Sequence, residues 1–571
     1  MAIPARRPRP PLSIPGSLVA QAGLASLEAA WAQVWRGSFL HRLTLAFPAP
    51  RGLAARPHDL RPTNPEAGRQ RLAGRWIFHG EVMDLPKGGD PWDRASPSRR
   101  HAGAFHSFEW TGDLLAHGEE GAREVLRLAL EWRRLFGRWN DFSWAGRTLE
   151  RRVFNWACAL PHLAAASEAE LGSLTLDLAR QARCLLGDGG SDDRKMDRAA
   201  AAAVAGVTLG GSGGEGILTT ALGRLERGLA RAVLADGGHA SRSPERALEL
   251  LLDLLTLDDG LSQRGRLAPT EVSRAIDRLF SAVRMFTLGD GRLACVQGGA
   301  EGRAASIAAA LAVDDGVGRR LSSLPDSGYQ RLEAGGLQVF VDAGIPAKGR
   351  WSQAAVAQPL ALEIVAGGHR LITQVGWTPD VEAPGALRLA EGGSTVSLGE
   401  TSAGAPLGGA LAQALGARLV GGPNLVWAER AEATQGVLLD LGHDGWLDRF
   451  GLWHQRTLFL SPEGELRGED VFAPLKTGDV KGPRRYVAFT VRFHLYPGVS
   501  ASVARDSRSV LLRAGMDPGW RLRNDATDVQ IETSRHFRNG EERRTSQIVL
   551  KGQVRIDIGG RVRWKLEPAE T

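Results

Sequence analysis

A small set of histidines stands beside arginine or tyrosine at spacings that can move a proton near a bound anion. In the segment Tyr486–Tyr496 the apolar residues Val487, Phe489, Val491, Phe493 and Leu495 alternate, so a strand there places Arg492, His494 and Tyr496 together on the opposite face. A neutral imidazole takes a proton, a phenol gives one, and a guanidinium grips a carboxylate through two parallel hydrogen bonds. The other reading of the same face is the solvated side of an amphipathic strand. His454 and Arg456 repeat the pattern after FGLW. His443, in HDGW, fits a turn residue bonded to backbone. His239 is the only histidine between His162 and His369, and it lies in the glycine-rich stretch DGGHASRSP with Arg242 three residues on. Such a loop exposes side chains to a ligand. It equally describes a turn before a helix capped by Ser243, with His239 merely exposed.

The elements that must carry these residues change character along the chain. From Leu18 to about Leu311 apolar residues recur at helical spacing. Val125, Leu128, Ala129, Trp132, Leu135 and Phe136 make one stripe, ending at Gly137. Leu149, Val153, Trp156 and Leu160 make another, as do Leu222, Leu225, Leu229 and Val233. Ser243 and Pro244 supply a cap and a first-turn proline, and Val272 to Phe286 gives a further stripe. After about Leu324 the period becomes two. LALEIV and RLITQV flank Gly367–Gly368 as a hairpin, Arg456–Ser461 and Leu466–Phe472 flank PEGE, and SVLLR, WRLRN, VQIET and TSQIVLKGQV follow. Helices and then strands predict a multidomain α-then-β chain: stacked helical hairpins and an antiparallel β-sandwich. The expected units are 1–50, a Pro-rich start turning helical, then 51–320 and 321–571, with the boundary near Gly316–Pro325.

The bulk numbers permit several domains and exclude little else. The chain has 571 residues and a net charge of +7, carried mostly by arginine, which suits an anionic partner. No basic–aromatic nucleic-acid module and no zinc spacing accompanies that charge, so nucleic acid is not expected. Cys158, Cys184 and Cys295 are odd in number and far apart, which predicts neither a disulfide framework nor a metal site. MAIPARRPRPPLSIPG is basic, and neither a signal-like apolar core nor a run long enough to span a membrane follows it. A cytoplasmic protein is the expectation, with a periplasmic one as the alternative.

Several long stretches, in order, are similar to the bacterial heparinase II/III family. They are FHSFEW (105–110), DGGHASRSPERALELLLDLL (236–255), SGYQRL (327–332), VDAGIP (341–346), HDGWLDRFGLWHQRTLFLSPEGELRGEDVF (443–472), FTVRFHLYPGVSAS (489–502) and RRTSQIVLKG (543–552). The resemblance spans roughly residues 75–565 and implies an incomplete (α/α) toroid followed by a sandwich. It also implies a polysaccharide lyase, breaking the bond beside a uronate by β-elimination in a cleft between the two. Such chemistry needs a group to neutralise the carboxylate, a base for the C5 proton and an acid for the leaving oxygen. On that reading His239, His494, Tyr329 and Tyr496 are the catalytic candidates. Arg242, Arg492, His454 and Arg456 are candidates for holding an acidic, uronate-containing polysaccharide. Trp139 and Trp144, in GRWNDFSW, are candidates for stacking on its rings, whereas Trp132 and Trp156 fall on core stripes. No metal and no other cofactor is expected.

The chain departs from the family pattern at the positions that matter most. Its three tyrosines, Tyr329, Tyr486 and Tyr496, all lie in the β half. Arg246 stands where active relatives have a tyrosine, and the family's Asn-His pair is missing from CLLGDGGSDDRKM. Val356 and Gly393 replace two histidines, the second a zinc ligand in some members. The expectation is a lyase-like enzyme on an acidic glycan. The alternative is a catalytically impaired glycan-binding or assembly protein of envelope or capsule metabolism.

Overall fold

The computed structural model describes residues 16–144, 146–187, 194–314, 321–378, 381, 383–475, 485–515, 519–538 and 540–569. The Pro-rich start, most of the polar loop after Gly187 and residues 315–320 of the expected boundary lie outside them.

The helical half is organised around Lys195–Thr208, in which every residue from Met196 to Thr208 is buried. Its alanine run leaves room on all sides, and Gly146–Ala159, Glu168–Gly187, Gly211–Ala232 and Pro244–Gln263 all pack against it. One crossing tolerates no side chain: a Cβ at Gly206 would meet the Leu218 backbone nitrogen at 2.6 Å. Pro244–Gln263 starts as its sequence dictates, with Ser243 Oγ accepting from Arg246 N and proline in the first turn. Gly118–Phe136 and Thr270–Phe286 bury the stripes read from their periodicity. The helical half is not wholly helical. Arg75–Phe78 and Glu81–Asp84 form a hairpin whose turn residues, His79 and Gly80, have φ 55° and 81°, the left-handed pair that a tight hairpin requires.

The last described helix of the helical half ends at Ala312 and the first described sandwich strand opens at Ser323. Two large antiparallel sheets follow, beside the short antiparallel pair Gly404–Pro406 and Leu419–Gly421. One runs from Asp528–Arg538 through Glu541–Arg555, Tyr486–Leu495, His369–Thr373, Leu362–Ala366, Leu337–Asp342 and Tyr329–Ala334 to Ser323–Leu324, with Val396–Leu398 also on Tyr486–Leu495. The other runs Val426–Ala433, Gly436–His443, Leu452–Leu460, Leu466–Pro474, Gly560–Pro568, Trp520–Asn524, Ser509–Ala514 and Val499–Val503. Val491, Phe493 and Leu495 meet Leu458, Phe472 and Trp564 in their shared core. The glycine turn between Leu362–Ala366 and His369–Thr373 lies at Gly367–Gly368, both at positive φ.

The two halves share apolar interior: Leu324, Tyr329, Phe340 and Val365 of the strands belong to the helical core. The N-terminal helix Gly16–Gly37 reaches across to the short helix Gly409–Leu415, and Phe39–Ala46 packs on Glu168–Gly187.

Candidate functional site

The junction corner around His239 is closed. His239 is fully buried, with its ring edge-on to Trp351 at 5.4 Å between centroids. Its Nδ1 accepts from Ser241 N at 3.1 Å and lies 2.7 Å from Ser241 Oγ, so that nitrogen is spent on its own turn, while the buried Nε2 has no hydrogen-bond partner among the described residues. Burial, and then the nearby Arg246, push its pKa down to about 3. The turn is held further by Arg242, a non-glycine residue at φ 65°. Its Nε donates to Ser327 O (2.6 Å), Nη1 to Gly344 O (3.1 Å), and Nη2 to Gly328 O (3.1 Å) and the Asp342 carboxylate. Arg242 was expected to clamp a substrate carboxylate. The structure has it clamp the sandwich instead, because four protein acceptors already occupy the fork. Tyr329 stacks under that guanidinium at 4.8 Å and donates its hydroxyl to Arg242 O at 2.5 Å. Burial raises its pKa well above the ordinary phenol value, so it is a bonded junction residue rather than an available acid.

The polar face of Tyr486–Leu495 is covered at its His494 end and exposed at Tyr486 and Ala488. His494 Nδ1 lies 2.7 Å from Ser534 Oγ and Nε2 lies 3.0 Å from Glu391 O, so Nε2–H donates and Nδ1 accepts. Burial, then Arg492, lower its pKa to about 3. Arg492 is partly buried and donates to Ser397 Oγ at 2.7 Å. Tyr496, beyond the strand's end, turns to Glu301 at 3.0 Å, and burial with that carboxylate lifts its pKa to about 12. No hydrogen bond or ring contact joins His239 to His494, so the two do not form one acid–base pair.

The remaining candidates are interior. His454 and Arg456 are fully buried and both hold Asp470, at 2.8 and 2.7 Å. Arg456 draws that carboxyl far below its usual range against the opposing effect of burial. His443 completes the chain through His454 at 3.0 Å and accepts from Gly445 N, as a turn residue does. An alternating strand reads the same whether its polar face meets water or a buried ion pair, and here it meets the pair. Trp144 is buried and donates to Phe136 O at 2.7 Å, and Trp139 packs on the helical core. Trp144 therefore offers no free face to a sugar, whereas Trp139 is half-buried.

The substituted family positions have been filled by protein. Arg246 pairs with Asp197 at 2.6 Å, beside Arg194 on the buried Glu150 at 3.0 Å and Arg147 on Glu249. Against burial, which opposes ionisation, Arg246 and Arg194 keep Asp197 below its ordinary pKa. A side chain at Gly393 would bring its Cβ within 2.8 Å of Gln358, which is anchored to Leu387 O and Leu389 O at 3.1 and 2.9 Å. Val356 and Gln358 border a cavity of only about 10 Å³, at the lower limit for one water.

Comparison with known proteins puts a name to this arrangement. The Heparinase II/III-like, C-terminal family matches residues 316–565. The chain is 51% identical over 540 residues to FtsZ-localized protein C of Caulobacter vibrioides, covering 94% of each protein. Crystallised heparinase III superposes with a TM-score of 0.68 at 12% identity, covering 98% of this chain and 93% of that one. A mutant of the heparan sulfate lyase HepC from Pedobacter heparinus superposes with 0.57 at 13% identity, over 98% and 90%. The chain belongs to the heparinase II/III family. It therefore has the family's α toroid followed by a β-sandwich, the lyase fold. At such identities the solved heparinases establish the fold alone.

Sequence reading of this heparinase II/III member missed the acidic partners that organise its junction. Asp342 holds Arg242 and accepts from Gln297 Nε2 at 2.6 Å, and Glu301 gathers Tyr496 and Arg538, the latter at 2.7 Å. Asp342 lies inside the quoted VDAGIP stretch, so the signal was present there. Glu301 is the last acid before a helix, and nothing local distinguishes it.

Proposed function

We propose that this chain keeps the heparinase fold without lyase turnover and serves as a binding and assembly protein that localises with FtsZ. The observation that carries the loss of turnover is the filled junction. His239 and His494 are buried and bonded, Arg246 is ion-paired where relatives have a tyrosine, and Gln358 occupies the space a Gly393 side chain would need. A base must reach the proton it removes, and neither imidazole has an open path to one. The named relative, 51% identical over nearly the full length, supports the link to FtsZ.

An adaptor also needs a surface, and the N-terminal helices supply one. Leu24, Leu27, Trp31, Val34 and Trp35 form a helical stripe that is exposed, and Phe39, Leu40, Leu43 and Phe47 extend it. Residues 1–47 carry Arg6, Arg7, Arg9, Arg36 and Arg42 against a single acid, Glu28. An exposed apolar stripe on a basic segment suits the surface of an anionic bilayer, where apolar side chains sink in and arginines meet headgroups. No described helix is long and apolar enough to cross a membrane, so the attachment proposed is peripheral and on the cytoplasmic side. The competing reading is a lyase that acts on a uronate-containing polysaccharide.

The test has two arms. Incubation with a panel of uronate polymers is expected to produce no ultraviolet absorbance from unsaturated uronate; its appearance would restore the lyase reading. Purified chain is expected to pellet with FtsZ polymers and to float with vesicles containing phosphatidylglycerol but not with phosphatidylcholine alone. Absence of both associations would remove the adaptor reading.

A further inference from the structure

A hollow separate from the toroid junction is lined entirely by residues 457–565 of the sandwich. It occupies about 500 Å³ on the outer side of the sheet formed by Leu452–Leu460, Leu466–Pro474, Gly560–Pro568 and Trp520–Asn524. Side chains alternate across these strands, so Asp470 and Trp564 point into the sandwich while Arg467, Glu469, Arg561, Arg563 and Lys565 line the outside. Phe459, with the Arg467 guanidinium 6.0 Å from its ring centre, gives the hollow an aromatic floor.

The charges are layered. Arg467, Arg523, Arg561 and Arg563 each keep more than half of the side chain exposed, whereas the carboxylates of Glu465, Glu469 and Glu567 are each less than a third exposed. The acids are shared. Glu469 serves Arg563 at 2.8 Å and Arg561 at 3.6 Å, Glu465 serves Arg467 and Lys565 at 2.5 Å, and Glu567 serves Lys565 at 2.8 Å and Arg523 at 3.0 Å. The one other carboxylate, Asp525, is turned to backbone, accepting from Arg563 N at 2.7 Å. Cationic heads thus project above a lower tier of acids. The exposed guanidinium heads keep donors beyond those that the shared acids use, so an incoming carboxylate can bind alongside the internal one.

We infer that this hollow docks an extended acidic peptide segment of a partner protein, its carboxylates on the projecting arginines and an apolar side chain on Phe459. A peptide fits better than an acidic glycan because the low carboxylates penalise a continuously charged polymer more than a chain with spaced acids. The inference is independent of the FtsZ and membrane reading.

The test uses full-length protein and a fluorescein-labelled peptide of alternating glutamate and leucine, read by anisotropy. Binding is expected to weaken with added salt, to fall by about tenfold or more in Arg561→Glu/Arg563→Glu, and to fall several-fold in Phe459→Ser. Circular dichroism checks the fold, and Arg523→Glu on a separate strand replaces the double variant if that one does not fold. Lack of salt-sensitive binding by the wild type, or unchanged affinity in the charge-reversed variant, overturns the inference. So does a heparin oligosaccharide that binds more tightly than the peptide and is indifferent to Phe459→Ser, because the site then takes a polyanion.

Discussion

Asp342, at the end of a sandwich strand, grips Arg242, held in a left-handed turn before a toroid helix, and the pair is buried at the seam between the two halves. The seam depends on that contact because the same guanidinium satisfies the carbonyls of Ser327, Gly328 and Gly344. Losing Arg242 strands a buried carboxylate and three carbonyls at once, and losing Asp342 leaves a buried guanidinium without its countercharge.

Arg242→Ala is therefore expected to cost about 3–5 kcal/mol, read from urea unfolding. Arg242→Gly should cost about 1 kcal/mol less than alanine, because glycine accepts φ 65° without a Cβ clash. Pairing Arg242→Ala with Asp342→Ala should cost less than the two single changes added together. Additive costs would mean that the two residues do not act as a unit.

The packing of Gln358 against Gly393 makes that position sensitive to a single methyl group. Gly393→Ala should destabilise by about 1–3 kcal/mol, since its Cβ would lie 2.8 Å from a Gln358 side chain held by two carbonyls. Combining it with Gln358→Ala should recover part of that loss in thermal melts. A neutral Gly393→Ala would show that the space is open after all.

Acid should weaken the protein earlier than carboxylate protonation alone would. His106, His239 and His494 each have a pKa lowered to about 3 by burial, against about 6.5 in an unfolded chain. Above the unfolded value both states are neutral and nothing is lost. Below it the unfolded state takes up protons that the folded state refuses, so stability drops from about pH 6.5 down toward pH 3, by about 2 kcal/mol per imidazole at pH 5. Asp470, whose pKa is depressed in the fold, adds its own loss only below the unfolded carboxylate value of about 3.9. Urea midpoints at pH 7 and pH 5 test this: the wild type should shift, and His494→Gln should shift less. Equal midpoints at the two pH values would contradict it.

The exposed stripe can be removed without touching the core. Leu27→Ser/Trp31→Ser/Val34→Ser changes three side chains that are 70%, 71% and 71% exposed, so melting temperature should stay within a degree or two. Flotation with phosphatidylglycerol vesicles should fall by about tenfold or more. Retained flotation would move the membrane contact elsewhere.

Periodicity in the chain determined the order of helices and strands, because a helix or strand buries one face whatever it packs against. Hairpins at Gly367–Gly368 and at PEGE, the Ser243 cap and the heparinase resemblance were legible for that local reason. The hairpin Arg75–Phe78/Glu81–Asp84 escaped because four-residue strands leave too short a pattern. Tertiary structure alone decided what the polar residues do. His494, Arg456 and Arg242 each look in sequence like groups facing a ligand, and each finds a protein partner from 14 to more than 100 residues away. A side chain's periodicity reveals which face it takes, but only the chain folded around it decides whether that face meets water, substrate or a buried countercharge.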